Sequence, residues 1–136
     1  MVDGTPMDRR ARIDEDGIAE LVLAFYARVR RDPLLGPVFH AAVGTTDAEW
    51  IAHLDRIAAF WSSVLLGTGR YQGRPMVAHA ALPGIGAAHF ERWLSLFGET
   101  AAALFEPEPA GRLADTAARI GRSLQHGLAL HAASRG

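Results

Sequence analysis

The sequence has no cysteine and no lysine, and all 14 of its basic residues are arginine. Without cysteine there is no disulfide, no thiolate metal site, no thiol nucleophile and no covalent cofactor attachment through C-x-x-C-H. Acidic residues number 15, for a net charge of −1. A chain so close to neutral is not built mainly to grip nucleic acid. No run approaches the roughly 18 apolar residues of a membrane span. The amino-terminal stretch MVDGTPMDRRARIDEDG is charged and lacks the apolar core of a secretory signal. The expectation is a soluble cytoplasmic protein that needs neither nucleic acid nor membrane. Arginine in place of lysine, beside abundant alanine, is a compositional bias that carries no function.

What is present is a chain of 136 residues, 49% hydrophobic and 21% charged. That length fits one domain able to bury about two-thirds of its unfolded surface, and the composition is not that of a disordered chain. With thiols absent, metal chemistry would rest on His, carboxylate, Tyr or Met. Six histidines are available: His40, His53, His79, His89, His126 and His131.

Residues 1–15 carry mixed charge and little periodicity, and read as a mobile lead-in or one short helix before a single domain over 16–136. From there a 3.6-residue period dominates. Gly17 to Arg31 puts Ile18, Leu21, Val22, Phe25, Tyr26 and Val29 on one face, with Asp14 to Asp16 suited to the helix dipole. Asp32-Pro33 breaks the helix, and Pro33 to Phe39 reads as a short helical turn opened by proline. Thr46 or Asp47 caps a helix over about Ala48 to Leu66, with Glu49 in the capping-box position for Thr46; Gly67-Thr-Gly69 ends it. Pro75 opens a short helix to His79 or Ala80, stopped by Leu82-Pro83-Gly84. Two further helices are expected over about Gly86 to Phe105 and Ala110 to His131. With nothing resembling a strand, the fold class is all-α, with four substantial helices and two short ones.

Several motifs fail. Gly67-x-Gly69-x-x-x-Gly73 is one residue too long for a dinucleotide fingerprint and follows a helix. There is no Walker A, H-E-x-x-H or G-x-S-x-G sequence. His126 and His131 are five apart and do not share a face as an i, i+4 pair would. No two histidines form a compact chelate, which argues against a structural zinc site. A single His ligating a metal already held by another scaffold, as in haem, remains chemically open. His53 falls near the apolar face of its helix, with Ile57, Phe60 and Val64 at helical steps. His79 lies among Val77, Ala78, Ala80, Ala81 and Leu82. A flat ligand fits between these two segments. On the residues alone, His79 also suits an ordinary helix C-terminus, and Tyr26 and Trp93 also suit a plain aromatic core.

The ordered set Phe25-Tyr26, Gly36-Pro37-Val38-Phe39, Trp50-x-x-His53, Phe60-Trp61, Leu65-Leu66-Gly67, Tyr71-x-Gly73-x-Pro75-x-x-x-His79-x-x-Leu82-Pro83 and His89-Phe90-x-x-Trp93-Leu94-x-Leu96-Phe97 resembles the truncated haemoglobins over about residues 17–105. The absence of any Gly-Gly pair favours their group III. The resemblance implies a two-over-two helical sandwich around noncovalent haem b. It implies His79 as the proximal iron ligand and Tyr26 and Trp93 as distal donors to a bound ligand. It implies His53 as a distal gate, with ligation of iron by both His53 and His79 as an alternative. Phe39, Ile57, Trp61 and Ile85 would make apolar haem contacts, with Trp93 beside them, and Arg56 could reach a propionate. His40, His89, His126 and His131 would have no catalytic part, with His89 belonging to the start of its helix.

The implied ligands are dioxygen, CO and NO. Two buried donors favour retention and ligand chemistry, of a peroxidase or nitric oxide dioxygenase kind, over oxygen transport. Such chemistry needs an external reductase, because the chain has no flavin or nicotinamide motif. The competing expectation is a cofactor-free helical interaction module presenting an Arg-rich face. The lack of a heptad seam makes a monomer the simplest state.

Overall fold

The computed structural model describes residues 9–71 and 86–135, with side chains through residue 126. Five α-helices occur among them: α1 (Glu15–Arg31), α2 (Leu35–Val43), α3 (Asp47–Leu66), α4 (Ala87–Leu104) and α5 (Pro107–Arg135). The only β-type pairing among the described residues is one bridge between Arg10 and Phe105. No helix there is long and apolar enough to cross a membrane. The expected Pro75-led helix lies outside the described residues.

Helix α1 starts where the Asp14 side chain accepts the Gly17 N–H at 2.8 Å. Glu15 and Asp16 occupy its first turn and Arg28, Arg30 and Arg31 its last, each sign at the dipole end it stabilises. Ile18, Leu21, Val22, Phe25, Tyr26 and Val29 are all buried, so the stripe read from the sequence is the face that enters the core. Helix α3 begins in the expected capping box. Thr46 Oγ1 accepts the Glu49 N–H and the Glu49 carboxylate accepts the Thr46 N–H. It ends at Gly67, whose φ of 68° is left-handed and favours glycine.

Two boundaries depart from expectation. Helix α2 runs Leu35–Val43, and Pro33 stays outside it, because the Asp32 carboxylate accepts the amides of Leu34 and Leu35 and sets the first turn there. Helix α5 begins at Pro107, not Ala110, and continues to Arg135. A proline at the first helical position has no N–H to lose, and the first helical bond is Ala110 N–H to Glu106 O at 2.9 Å. Before α1, Arg10 N–H donates to Leu104 O at 2.9 Å and Arg10 O accepts from Glu106 N–H at 2.8 Å. That strap ties the approach to α1 onto the α4–α5 corner.

Helix α1 packs on α3, and α4 packs on α5; α1 also crosses α4, which joins the two pairs. This is two helical layers of two. Helix α2 lies against α1, touching α3 and α4. Its approach to α1 is close: a Cβ on Gly36 would lie 2.9 Å from the backbone oxygen of Arg30. The core between the layers is aromatic. Phe97 is stacked between Trp61 (5.1 Å) and Trp93 (5.5 Å), each 17° from parallel, while Phe25 meets Trp93 and Phe97 edge-on.

Candidate functional site

At one end of this aromatic core, α1, α2, α3 and α4 bring together Tyr26, Phe39, Trp50, His53 and Trp93. Tyr26 is buried on α1 between edge-on Phe25 at 4.7 Å and Phe39 at 5.9 Å. Trp50 is fixed first, because its indole N–H donates to Gly44 O at 2.9 Å, tying the start of α3 to the end of α2. The Arg30 guanidinium lies 5.0 Å over its ring. One turn later on α3, His53 presents its ring edge-on to Trp50 at 5.5 Å and to Tyr26 at 6.2 Å. The His53 residue is half-buried, and its Nε2 is shielded from solvent.

The Trp93 indole lies 3.3 Å from the Tyr26 hydroxyl oxygen. Indole N–H can only donate, so the direction of this bond is fixed and Tyr26 accepts. The phenol therefore keeps its own hydrogen for a different acceptor. Burial pushes the Tyr26 hydroxyl up to about 12, and the bond from Trp93 opposes that rise without cancelling it. At neutral pH Tyr26 is a protonated, buried donor. The arrangement can deliver one strong hydrogen bond to a small acceptor in a largely apolar setting.

The residues singled out from the sequence divide into four groups. Tyr26, Trp93, His53 and Phe39 are brought together. Trp61 and Ile57 lie further along α3, the first buried on Phe97 and the second half-buried against the core. Arg56 is exposed and makes no ion pair among the described residues. His79 and Ile85 lie outside the described residues. Of the other histidines, His89 uses Nδ1 to accept the Gly86 N–H at 3.1 Å and so caps α4. His40 meets the Trp50 ring edge-on, and His126 is exposed. Among the described residues no group of three His, Asp or Glu side chains is placed to hold a metal ion.

Sequence reasoning passed over Asp32, Arg92 and Trp50's anchoring bond. Asp32 was legible only as a helix break before proline, although Asp there is also a good cap for a following helix. Arg92 is 60 residues away and carries no signal of its pairing.

The model of the bacterial-like globin family matches residues 14–117. The chain is 39% identical over 114 residues to the group 3 truncated hemoglobin Ctb of Campylobacter jejuni, covering 84% of this chain and 90% of that protein. The crystal structure of the group III truncated hemoglobin from Campylobacter jejuni superimposes with a TM-score of 0.85 at 38% identity, covering 88% of this chain and 94% of that one. The chain therefore belongs to the bacterial-like globins and, within them, to the group III truncated haemoglobins, a family of haem proteins that bind small gaseous ligands.

Proposed function

We propose that the chain binds noncovalent haem b and retains a diatomic ligand beside Tyr26. The donor set fits such a group on its distal side: a protonated phenol, an indole behind it and an imidazole, set in aromatic walls. With no cysteine in the chain, attachment is noncovalent and thiolate ligation is excluded. His79 is the imidazole assigned to the iron. Phe39, Ile57, Trp61 and Ile85 supply apolar contacts, and Arg56 the charge for a propionate. Haem, when bound, would supply an iron that takes up dioxygen, CO or NO.

The observation that carries this reading is the directed pair Trp93→Tyr26. A diatomic ligand carrying partial negative charge would accept a charge-assisted hydrogen bond from the neutral, buried Tyr26 hydroxyl. Trp93 holds the phenol in place and leaves its hydrogen available to another acceptor. In a dry site one such bond contributes about 1.5–3 kcal/mol to retention. His53, half-buried beside Tyr26, controls access to the same space. Slow release suits ligand chemistry supported by an external reductase better than oxygen delivery. The test is dioxygen dissociation from the ferrous protein. Tyr26→Phe is expected to release the ligand at least about tenfold faster than the parent; equal rates would remove Tyr26 from the site.

A further inference from the structure

Asp32 follows α1 and precedes Pro33, with its side chain only 3% exposed. One carboxylate oxygen accepts the Leu34 and Leu35 amides at 3.0 and 2.9 Å. The other accepts Nε of Arg92 at 2.7 Å. Burial by itself would raise this carboxyl, but the Leu35 amide, Arg92 and the Leu34 amide outweigh it and hold the group below its ordinary value. It is an ionised carboxylate with both oxygens engaged, joining the end of α1, the start of α2 and the second turn of α4.

Arg92 immediately precedes Trp93 on α4, and Tyr26 lies on α1, which Asp32 terminates. The two helices joined by the ion pair are thus the two that carry the Trp93–Tyr26 bond. At 3.3 Å that bond is already longer than the usual N–H···O range, so a small slide of α4 along α1 breaks it. Across these helices Phe25 also meets Trp93 and Phe97 edge-on, contacts that carry no hydrogen bond to fix the register. A second ion pair, Arg28–Glu99, spans the same helices, but at 3.6 Å with both partners exposed. Exposed pairs of that length fix little.

We infer that the Asp32–Arg92 pair is a positioning device that sets α4 against α1 and so holds the Trp93 indole on the Tyr26 hydroxyl. Its consequence for ligand retention rests on the function proposed above; its geometric content does not.

The experiment is solvent exchange of indole N–H groups in the 15N-labelled full-length chain. The Trp93 resonance is assigned by its loss in Trp93→Phe. The Trp50 indole, bonded to Gly44 O, is the internal reference. In Arg92→Ala, exchange at Trp93 is expected to rise about two- to fivefold relative to Trp50, the loss of one modest hydrogen bond. Arg92→Gln serves equally where Arg92→Ala does not fold. Arg92→Lys is expected to stay near the parent, because a single arginine nitrogen makes the recorded bond. Glu99→Gln is expected to change neither indole. Equal rises at Trp93 and Trp50 in Arg92→Ala would mean general loosening and overturn the inference, as would a selective rise at Trp93 in Glu99→Gln. A chain that takes up no haem would defeat the proposed function and leave this measurement standing.

Discussion

Removing the Tyr26 hydroxyl and the Trp93 indole, singly and together, separates two ways in which a pair of donors can retain a ligand. Trp93 donates to Tyr26, and an indole has no second hydrogen to give. While that bond is kept, Trp93 acts through Tyr26. Tyr26→Phe then removes the whole distal bond, about 1.5–3 kcal/mol, which is roughly 10- to 150-fold in the dissociation rate of dioxygen. Trp93→Phe removes only the support behind the phenol. At 3.3 Å that neutral bond is worth about 0.5–1 kcal/mol, or roughly two- to fivefold. In the double variant there is no hydroxyl left to support, so its rate equals that of Tyr26→Phe. The coupling energy then matches the effect of Trp93→Phe alone. The assay is stopped-flow displacement of dioxygen by CO from all four ferrous proteins. Trp93→Phe accelerating release as much in the Tyr26→Phe background as in the parent would refute the reasoning, because Trp93 would then reach the ligand independently.

Three further outcomes follow from the same geometry. The Tyr26 hydroxyl titrates at about 12 folded against 10.0 ordinarily, so the protonated form is the one the native state favours. Its stabilisation is complete below the unfolded value and is lost as pH rises through the folded one. Urea unfolding of the parent is expected to show about 2 kcal/mol lost by about pH 11.5, a loss absent from the profile of Tyr26→Phe. For Asp32 the sign is reversed, since its carboxyl is held below its ordinary value: the stabilisation is full above the ordinary carboxylate range and falls as acid reaches the folded value. Asp32→Ala is expected to cost about 2–3 kcal/mol near neutral pH, mostly the lost cap of α2 with a smaller share from the half-exposed Arg92, and to flatten the acid limb of the unfolding profile. Gly36→Ala forces a Cβ to within 2.9 Å of the Arg30 carbonyl oxygen and is expected to cost about 1–3 kcal/mol by chemical denaturation.

The parts of the fold legible in the sequence are those whose signals are local. The Thr46–Glu49 spacing located the start of α3, the Asp14–Asp16 run and Asp32-Pro33 bracketed α1, and the helical period named the residues α1 buries. The start of α2 was misread because proline is an obvious opener, whereas the group that sets the first turn is the side chain before it, Asp32. The start of α5 was placed late for the opposite reason: Pro107 and Pro109 look like breakers, yet a first turn needs no N–H from either. The site is a different matter. Tyr26 and Trp93 are 67 residues apart, and nothing in periodicity distinguishes them from ordinary core aromatics. Their pairing was reachable only through resemblance to a family. Even then the direction of the bond, which decides which group keeps a free proton, required the geometry. The Asp32–Arg92 contact spans 60 residues and has no counterpart in any sequence pattern.

The central claim is that this aromatic core is the distal wall of a haem pocket closed by His79. The most direct test is titration of the purified full-length chain with haemin, followed by absorption spectra of the ferric, ferrous and CO forms. The account predicts stoichiometric uptake with a Soret band, and a band that is lost or altered in His79→Ala. A chain that folds fully yet stays colourless with added haemin, or a His79→Ala spectrum identical to the parent's in all three forms, would contradict it.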